Sequence, residues 1–157
     1  MIKIIQDVID KMVTHAKRET PDECCGILAG VVPFAGVAGS SCVTEMYEMS
    51  NLPSDDPRIA DLKIPTDRAV RYMMDPKDQF NVLRNMRKRN LTMLGIYHSH
   101  PHSPAFPSIT DVRLAFYPDV FYLILSLMET NIDVRAFFIV NQKITEATIE
   151  RIKNESH

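Results

Sequence analysis

The chain has 157 residues, 45% of them apolar, and a formal charge of -2. That length and apolar content suit a single folded domain, residues 1–157, and exclude a disordered or membrane-spanning class, since no apolar run approaches roughly 18 residues. The near-neutral balance gives no field to draw in nucleic acid or membrane, and three cysteines with no secretory leader point to a reducing, cytoplasmic setting rather than a disulfide framework.

Ile2, Ile5, Val8, Ile9, Met12, Val13 and Ala16 recur at three- and four-residue spacing, which predicts an amphipathic first helix closed by Pro21. Residues 26–32 predict a short buried strand. Gly36, Gly39 and Ser40 mark a hairpin turn, and residues 42–49 the returning strand. Over residues 52–66, Pro53, Asp55, Asp56, Pro57 and Pro65 break regular structure, so an insertion loop around 52–70, mobile or functional, is expected. Residues 71–74 form a weakly patterned strand. Pro76 opens a helix running to about Arg89, with Phe80, Leu83 and Met86 buried and Arg84, Arg87, Lys88 and Arg89 solvated.

Residues 91–97 predict a strand, 103–107 a proline-rich loop and 108–117 a helix. Residues 120–127 are nearly all apolar, as in a central strand covered on both faces. Residues 134–140 read as another strand and 144–152 as a more polar last element. The order α-β-β-β-α-β-α-β-β predicts an α/β (α+β) fold, a mixed sheet flanked by helices.

The chemistry concentrates in His98-Ser99-His100-Pro101 and in Asp111, eleven residues further on. Two histidines two apart at a strand end project both imidazoles from one face. With a carboxylate from the next element they make a three-ligand divalent-metal site with a position left open for water. The plainer reading is polar residues at a strand end. Ser108 and Asp111 also fit a helix capping box, and a helix start beside the metal would serve both roles. Glu23 is either a solvated edge residue or the carboxylate that takes a proton from water. Adjacent strand residues face opposite ways, so Cys24 and Cys25 read as small core residues rather than zinc thiolates. His102 is expected in an exposed loop and His15 on the polar side of the first helix. Neither they nor His157 receive a role. The basic run from Arg84 to Arg89 lacks interleaved aromatics, which argues against nucleic acid.

Together these residues resemble the JAMM (MPN+) metalloprotease family. Its signature is an upstream Glu, then His-x-His-Pro, six residues, Ser, two residues and Asp. Here that reads Glu23, His98-Ser99-His100-Pro101, Ser108 and Asp111. Pro21 to Gly26, Met74-Asp75-Pro76 and Tyr117 to Ile124 resemble the family's flanking segments, and the likeness spans about residues 2–140. The resemblance implies a cytidine-deaminase-like fold and zinc (Zn2+) held by His98, His100 and Asp111. It implies Glu23 as proton carrier and Ser108 as oxyanion donor. It also implies hydrolysis of a peptide or isopeptide bond after the Gly-Gly terminus of a ubiquitin-like or sulfur-carrier protein, release of cysteine from such a carrier included. The stretch between Asn51 and Arg71 is longer than the compact bacterial pattern, and in the family this region borders the substrate groove. The loop over residues 52–66 within it is the expected clamp for an extended tail. Rival readings are a non-catalytic MPN scaffold, an iron(II) oxygenase, since the same ligands suit iron, and a DNA-associated relative. The oligomeric state stays open, a homodimer included.

Overall fold

The computed structural model describes residues 1–33 and 40–154; Gly36 and Gly39 of the expected turn lie outside them. Eight strands form one sheet: β1 (Ile2–Ile5), β2 (Cys25–Val31), β3 (Cys42–Met49), β4 (Thr92–His100), β5 (Phe121–Ser126), β6 (Asp133–Val140), β7 (Lys143–Ala147) and β8 (Ile149–Ile152). Helices are α1 (Gln6–Glu19), α2 (Pro57–Leu62), α3 (Pro76–Lys88) and α4 (Ile109–Arg113). The strand order is β7-β6-β5-β4-β2-β3-β1-β8. β1 runs parallel to β3 and β8, β4 runs parallel to β5, and the remaining pairs are antiparallel. The sheet is mixed and flanked by helices, as the element order predicts.

The first element differs from expectation. Residues 2–5 are a strand, and the helix begins only at Gln6. Ile2 and Ile4 are buried while Lys3 and Ile5 are half-buried, which is a period of two rather than of 3.6. Val8, Ile9, Met12 and Ala16 do form the buried stripe of α1, and His15 joins them.

The last element is two strands on opposite flanks of the sheet. Ala147 pairs with Ala136 on β6, whereas Ile149 pairs with Ile2 on β1. Two residues reach at most about 7 Å, so the outermost strands must be drawn together and the sheet rolls up. The Ile2 N–H donates to the Thr148 carbonyl at 2.8 Å, at the junction. One face of the sheet packs Ile4, Leu28, Val43, Tyr97, Leu123 and Ala136 around the α1 stripe. Strands distant in the order thus share one helix, as a rolled sheet requires. The other face gathers Ile27, Ile96, Tyr122 and Ile124 with Met86 of α3. On β2, a Cβ at residue 26 would overlap the Tyr97 ring and the Tyr47 carbonyl, so only glycine lets Tyr97 lie there.

Four further expectations are corrected. Residues 71–74 are not a strand and contribute a single bridge, Asn51 to Met74. The helix expected over 108–117 is the short α4. The stretch 52–66 contains α2, because Asp56 and Pro57, which would break a helix interior, suit its start: the Asp56 side chain accepts from the Arg58 N–H, and Pro57 occupies the first turn. Six residues do not hold a helix alone. Burying Ile59 against Leu52 and Ile64 supplies about 1.5–3 kcal/mol. The Arg113 guanidinium then caps the other end by donating to the carbonyls of Leu62 and Lys63. α3 runs as expected, but Phe80 is exposed and Met86 alone is buried. Among the described residues no helix is long and apolar enough to cross a membrane.

Candidate metal centre

The site lies where β4 runs out beside β2. Antiparallel pairing sets Cys25 opposite His98 and continues past the end of β2, with the Ser99 N–H donating to the Cys24 carbonyl at 3.0 Å and the Cys24 N–H to Ser99 Oγ at 2.8 Å. Carried two residues further, the same register sets Glu23 against His100. Paired residues share a face, so Glu23, His98 and His100 project from the α3 side of the sheet. Glu23 Oε1 lies 3.9 Å from His100 Nε2. The solvated reading of Glu23 is excluded, since the residue is only 4% exposed.

The third arm comes from the next element. Ser108 caps α4: its Oγ accepts from the Asp111 N–H at 3.0 Å, while Asp111 Oδ2 accepts from the Ser108 N–H at 2.8 Å. The capping box is therefore present, and it aims the same carboxylate at the histidines. His98 Nε2 and His100 Nε2 are 3.0 Å apart, and Asp111 Oδ2 lies 3.2 and 3.1 Å from them. All three residues are buried.

These three side chains could hold a metal ion. Their spacing is close to the edge of a tetrahedron with bonds of about 2.0–2.1 Å, about 3.3 Å. The hydrogen bonding points the same way. His100 Nδ1 lies 2.8 Å from the Pro104 carbonyl, an acceptor only, so Nδ1 carries the proton. Its Nε2 then turns a lone pair toward the oxygen of Asp111, and two electron-rich atoms that close in a dry pocket need positive charge between them, a proton or a metal ion. His98 is fixed differently. Its Nδ1 is buried with no partner among the described residues, but its ring stacks on Tyr72.

Burial opposes the ionised form of Asp111, yet the two imidazoles and the Ser108 N–H outweigh it and hold the carboxyl well below its usual range. Burial lowers His98, with Asp111 opposing. Burial also pushes the Glu23 carboxyl up to about 9; Asp111 adds to the shift and the Arg71 guanidinium offsets part of it. Asp111 is thus held as the carboxylate, the form a metal ligand would need, while burial favours the protonated form of Glu23.

Residues 6–140 match the family of prokaryotic homologs of the JAB domain. The chain belongs to this family. It is 32% identical over 154 residues to the CysO-cysteine peptidase of Mycobacterium tuberculosis, covering 98% of this chain and 92% of that protein. Over 129 residues it is 30% identical to the desampylase of Haloferax volcanii, covering 80% of each. A solution structure of a protein from Desulfitobacterium hafniense matches with a TM-score of 0.78 at 33% identity, covering 99% of this chain and 94% of that one. A JAB1/MPN domain protein from Archaeoglobus fulgidus, 16% identical, shares the fold with a TM-score of 0.57 over 97% of this chain and 98% of that one.

All five residues singled out in the sequence of this JAB-family chain meet here: Glu23, His98, His100, Ser108 and Asp111. Cys24 and Cys25 are buried core residues, burial raising both thiols, and His102 is exposed. His15 is a correction. It is buried against the core and its Nδ1 lies 2.8 Å from the Tyr97 hydroxyl. Three residues at the site escape the sequence reading: Tyr72 on His98, and Asn51 with Arg71 beneath Glu23. Only the lone arginine in a run of apolar residues from Ala69 to Met74 hinted at a buried charge.

Proposed function

We propose that the protein is a zinc-dependent peptidase that hydrolyses the bond after the C-terminal Gly-Gly of a ubiquitin-like or sulfur-carrier protein, including release of cysteine from such a carrier. The convergence of His98 Nε2, His100 Nε2 and Asp111 Oδ2 beside the buried Glu23 carboxyl carries this reading. The names of the relatives support it: one is a peptidase for CysO-cysteine, another a desampylase, and a third, from Thermus thermophilus and 26% identical over 115 residues, a probable TtuB-protein conjugate cleaving protease.

His98, His100 and Asp111 would hold the ion. When bound, it would lower the pKa of a coordinated water toward about 7 and polarise the scissile carbonyl. Positive charge beside Glu23 favours its carboxylate and counters the burial that raises it. Glu23 then accepts the proton that water sheds as its oxygen attacks the carbonyl carbon. The same carboxyl returns that proton to the leaving nitrogen as the C–N bond breaks, giving a Gly-Gly carboxylate and a free amine. Ser108 Oγ accepts a hydrogen bond from Asp111, so its own proton is free to donate to the developing oxyanion. One such donor is worth about 2.7–4 kcal/mol of barrier. A tail of two glycines carries no Cβ and suits an extended strand in a narrow passage, with the stretch 52–66 as its clamp.

The deciding experiment incubates the protein with Gly-Gly-ended carriers that bear a C-terminal cysteine or a lysine-linked adduct. Intact mass should show loss of the adduct, and a chelator should stop it. Turnover that persists after complete removal of metal would overturn the reading.

A further inference from the structure

Beneath the candidate base lies a polar knot that the metal ligands do not use. Asn51 follows β3, is 6% exposed, and has its whole side-chain amide engaged. Its Nδ2 donates to the Glu23 carbonyl at 3.1 Å and to the Arg71 carbonyl at 2.9 Å. Its Oδ1 accepts from the Met73 N–H at 3.0 Å and from the Arg71 guanidinium. Arg71 is fully buried, and three of its other N–H groups donate to the carbonyls of Pro65 at 3.1 Å, Thr66 at 3.2 Å and Pro53 at 3.3 Å. The Glu23 N–H donates to the Arg68 carbonyl at 2.8 Å. The peptide groups of Glu23 are therefore gripped on one side by Asn51 and on the other by residue 68, both tied to the 53–73 segment.

A buried guanidinium with no carboxylate in ion-pair contact among the described residues is an expensive way to close a loop. A hydrophobic plug would fill the space at lower cost. What the plug could not do is fix the direction of the Glu23 main chain, and that direction sets where the carboxyl meets His100. We infer that Asn51 and Arg71 are positioning residues for Glu23: they bind its main chain to the 53–73 segment so that the carboxyl is held beside the metal ligands. This rests on the proposed role of Glu23 as proton carrier.

The test uses the full chain loaded with zinc. Asn51→Asp is nearly isosteric. It keeps an oxygen for Arg71 and Met73 but turns a second oxygen, in place of a donor, toward the carbonyls of Glu23 and Arg71. Zinc should stay at the wild-type content. With a Gly-Gly-ended carrier bearing a C-terminal cysteine, kcat should fall about 10- to 100-fold with KM nearly unchanged, since a misplacement of about 1 Å has that effect. Hydrogen exchange should rise in the peptide containing Glu23 and stay unchanged over 53–66. Arg71→Met should raise exchange in both segments, and Arg71→Lys should recover part of the lost turnover. Wild-type kcat and unchanged exchange at Glu23 in Asn51→Asp would overturn the positioning, and so would a loss confined to zinc content or KM. Glu23→Gln separates the two ideas: an active Glu23→Gln refutes the base assignment itself, whereas an inactive Glu23→Gln beside a fully active Asn51→Asp refutes only the positioning.

Discussion

Tyr72 lies face to face with His98, the ring centroids 4.4 Å apart and the planes inclined by 26°. Metal-binding histidines are usually oriented by a hydrogen bond from the second ring nitrogen. His100 Nδ1 has such a partner in the Pro104 carbonyl, whereas His98 Nδ1 has none among the described residues. We propose that the stacked Tyr72 ring orients His98 in place of that hydrogen bond. Tyr72→Leu should weaken metal affinity about 10- to 100-fold, the usual effect of removing an orienting partner, while Tyr72→Phe should stay near wild type. Competition with a chromogenic chelator reads both, and equal affinity in Tyr72→Leu would remove the ring from this role.

Ligands and proton carrier should separate cleanly. Glu23→Gln should bind zinc as the native chain does and lose turnover, because the amide cannot carry a proton. His98→Ala should lose the metal. Asp111→Asn should do so too while keeping an acceptor for the Ser108 N–H, so that metal loss is read without loss of the helix cap. Elemental analysis of each purified variant decides, and full zinc content in either ligand variant contradicts the assignment.

Two substitutions can separate the helix cap at Ser108 from its proposed role as oxyanion donor. Alanine at a helix start costs about 0.5–2 kcal/mol, glycine only a few tenths. Ser108→Ala should therefore melt earlier than Ser108→Gly. Both should slow turnover about 100- to 1,000-fold if the hydroxyl serves the oxyanion. A normal rate in both would leave Ser108 as a cap alone.

His15 predicts a pH effect away from the metal. Burial lowers its pKa from 6.5, with Glu48 opposing and Arg18 assisting. Above about 6.5 the imidazole is neutral in folded and unfolded chains alike. Below it the unfolded chain takes up a proton that the folded one resists, so stability falls as pH drops from about 6.5 toward the folded value. His15→Gln, which can still meet the Tyr97 hydroxyl, should lose less stability between about pH 7.5 and about pH 5.5. Urea midpoints of the two proteins at both pH values measure the difference, and parallel losses would show that another group is responsible.

The site was legible because its chemistry is local in sequence. His98 and His100 ride one strand, Ser108 and Asp111 one turn of helix, and each pair obeys a short-range geometric rule. Glu23 is a candidate from its place at the start of an apolar strand and from likeness to the family, but only the β2–β4 register brings it to His100. The first strand was misread because Ile2, Ile5 and Val8 satisfy helical spacing while Ile2 and Ile4 equally satisfy alternation. Four residues are too few to choose, and pairing with β3 and β8 decides. Residues 144–152 look like one element in the sequence because Thr148, where the strand changes partners, is neither glycine nor proline. Asn51 leaves no trace and Arg71 only its place in an apolar run, since hydrogen bonds to main-chain carbonyls leave no pattern in side-chain type.

The run from Lys143 to Ile152 is clasped by β6 at its start and by β1 at its finish. A chain cut after Val140 would not shed a single flank. It would strip both edges of the sheet, baring main-chain N–H and C=O groups of the first strand and the sixth together, and invite copies to stitch onto one another.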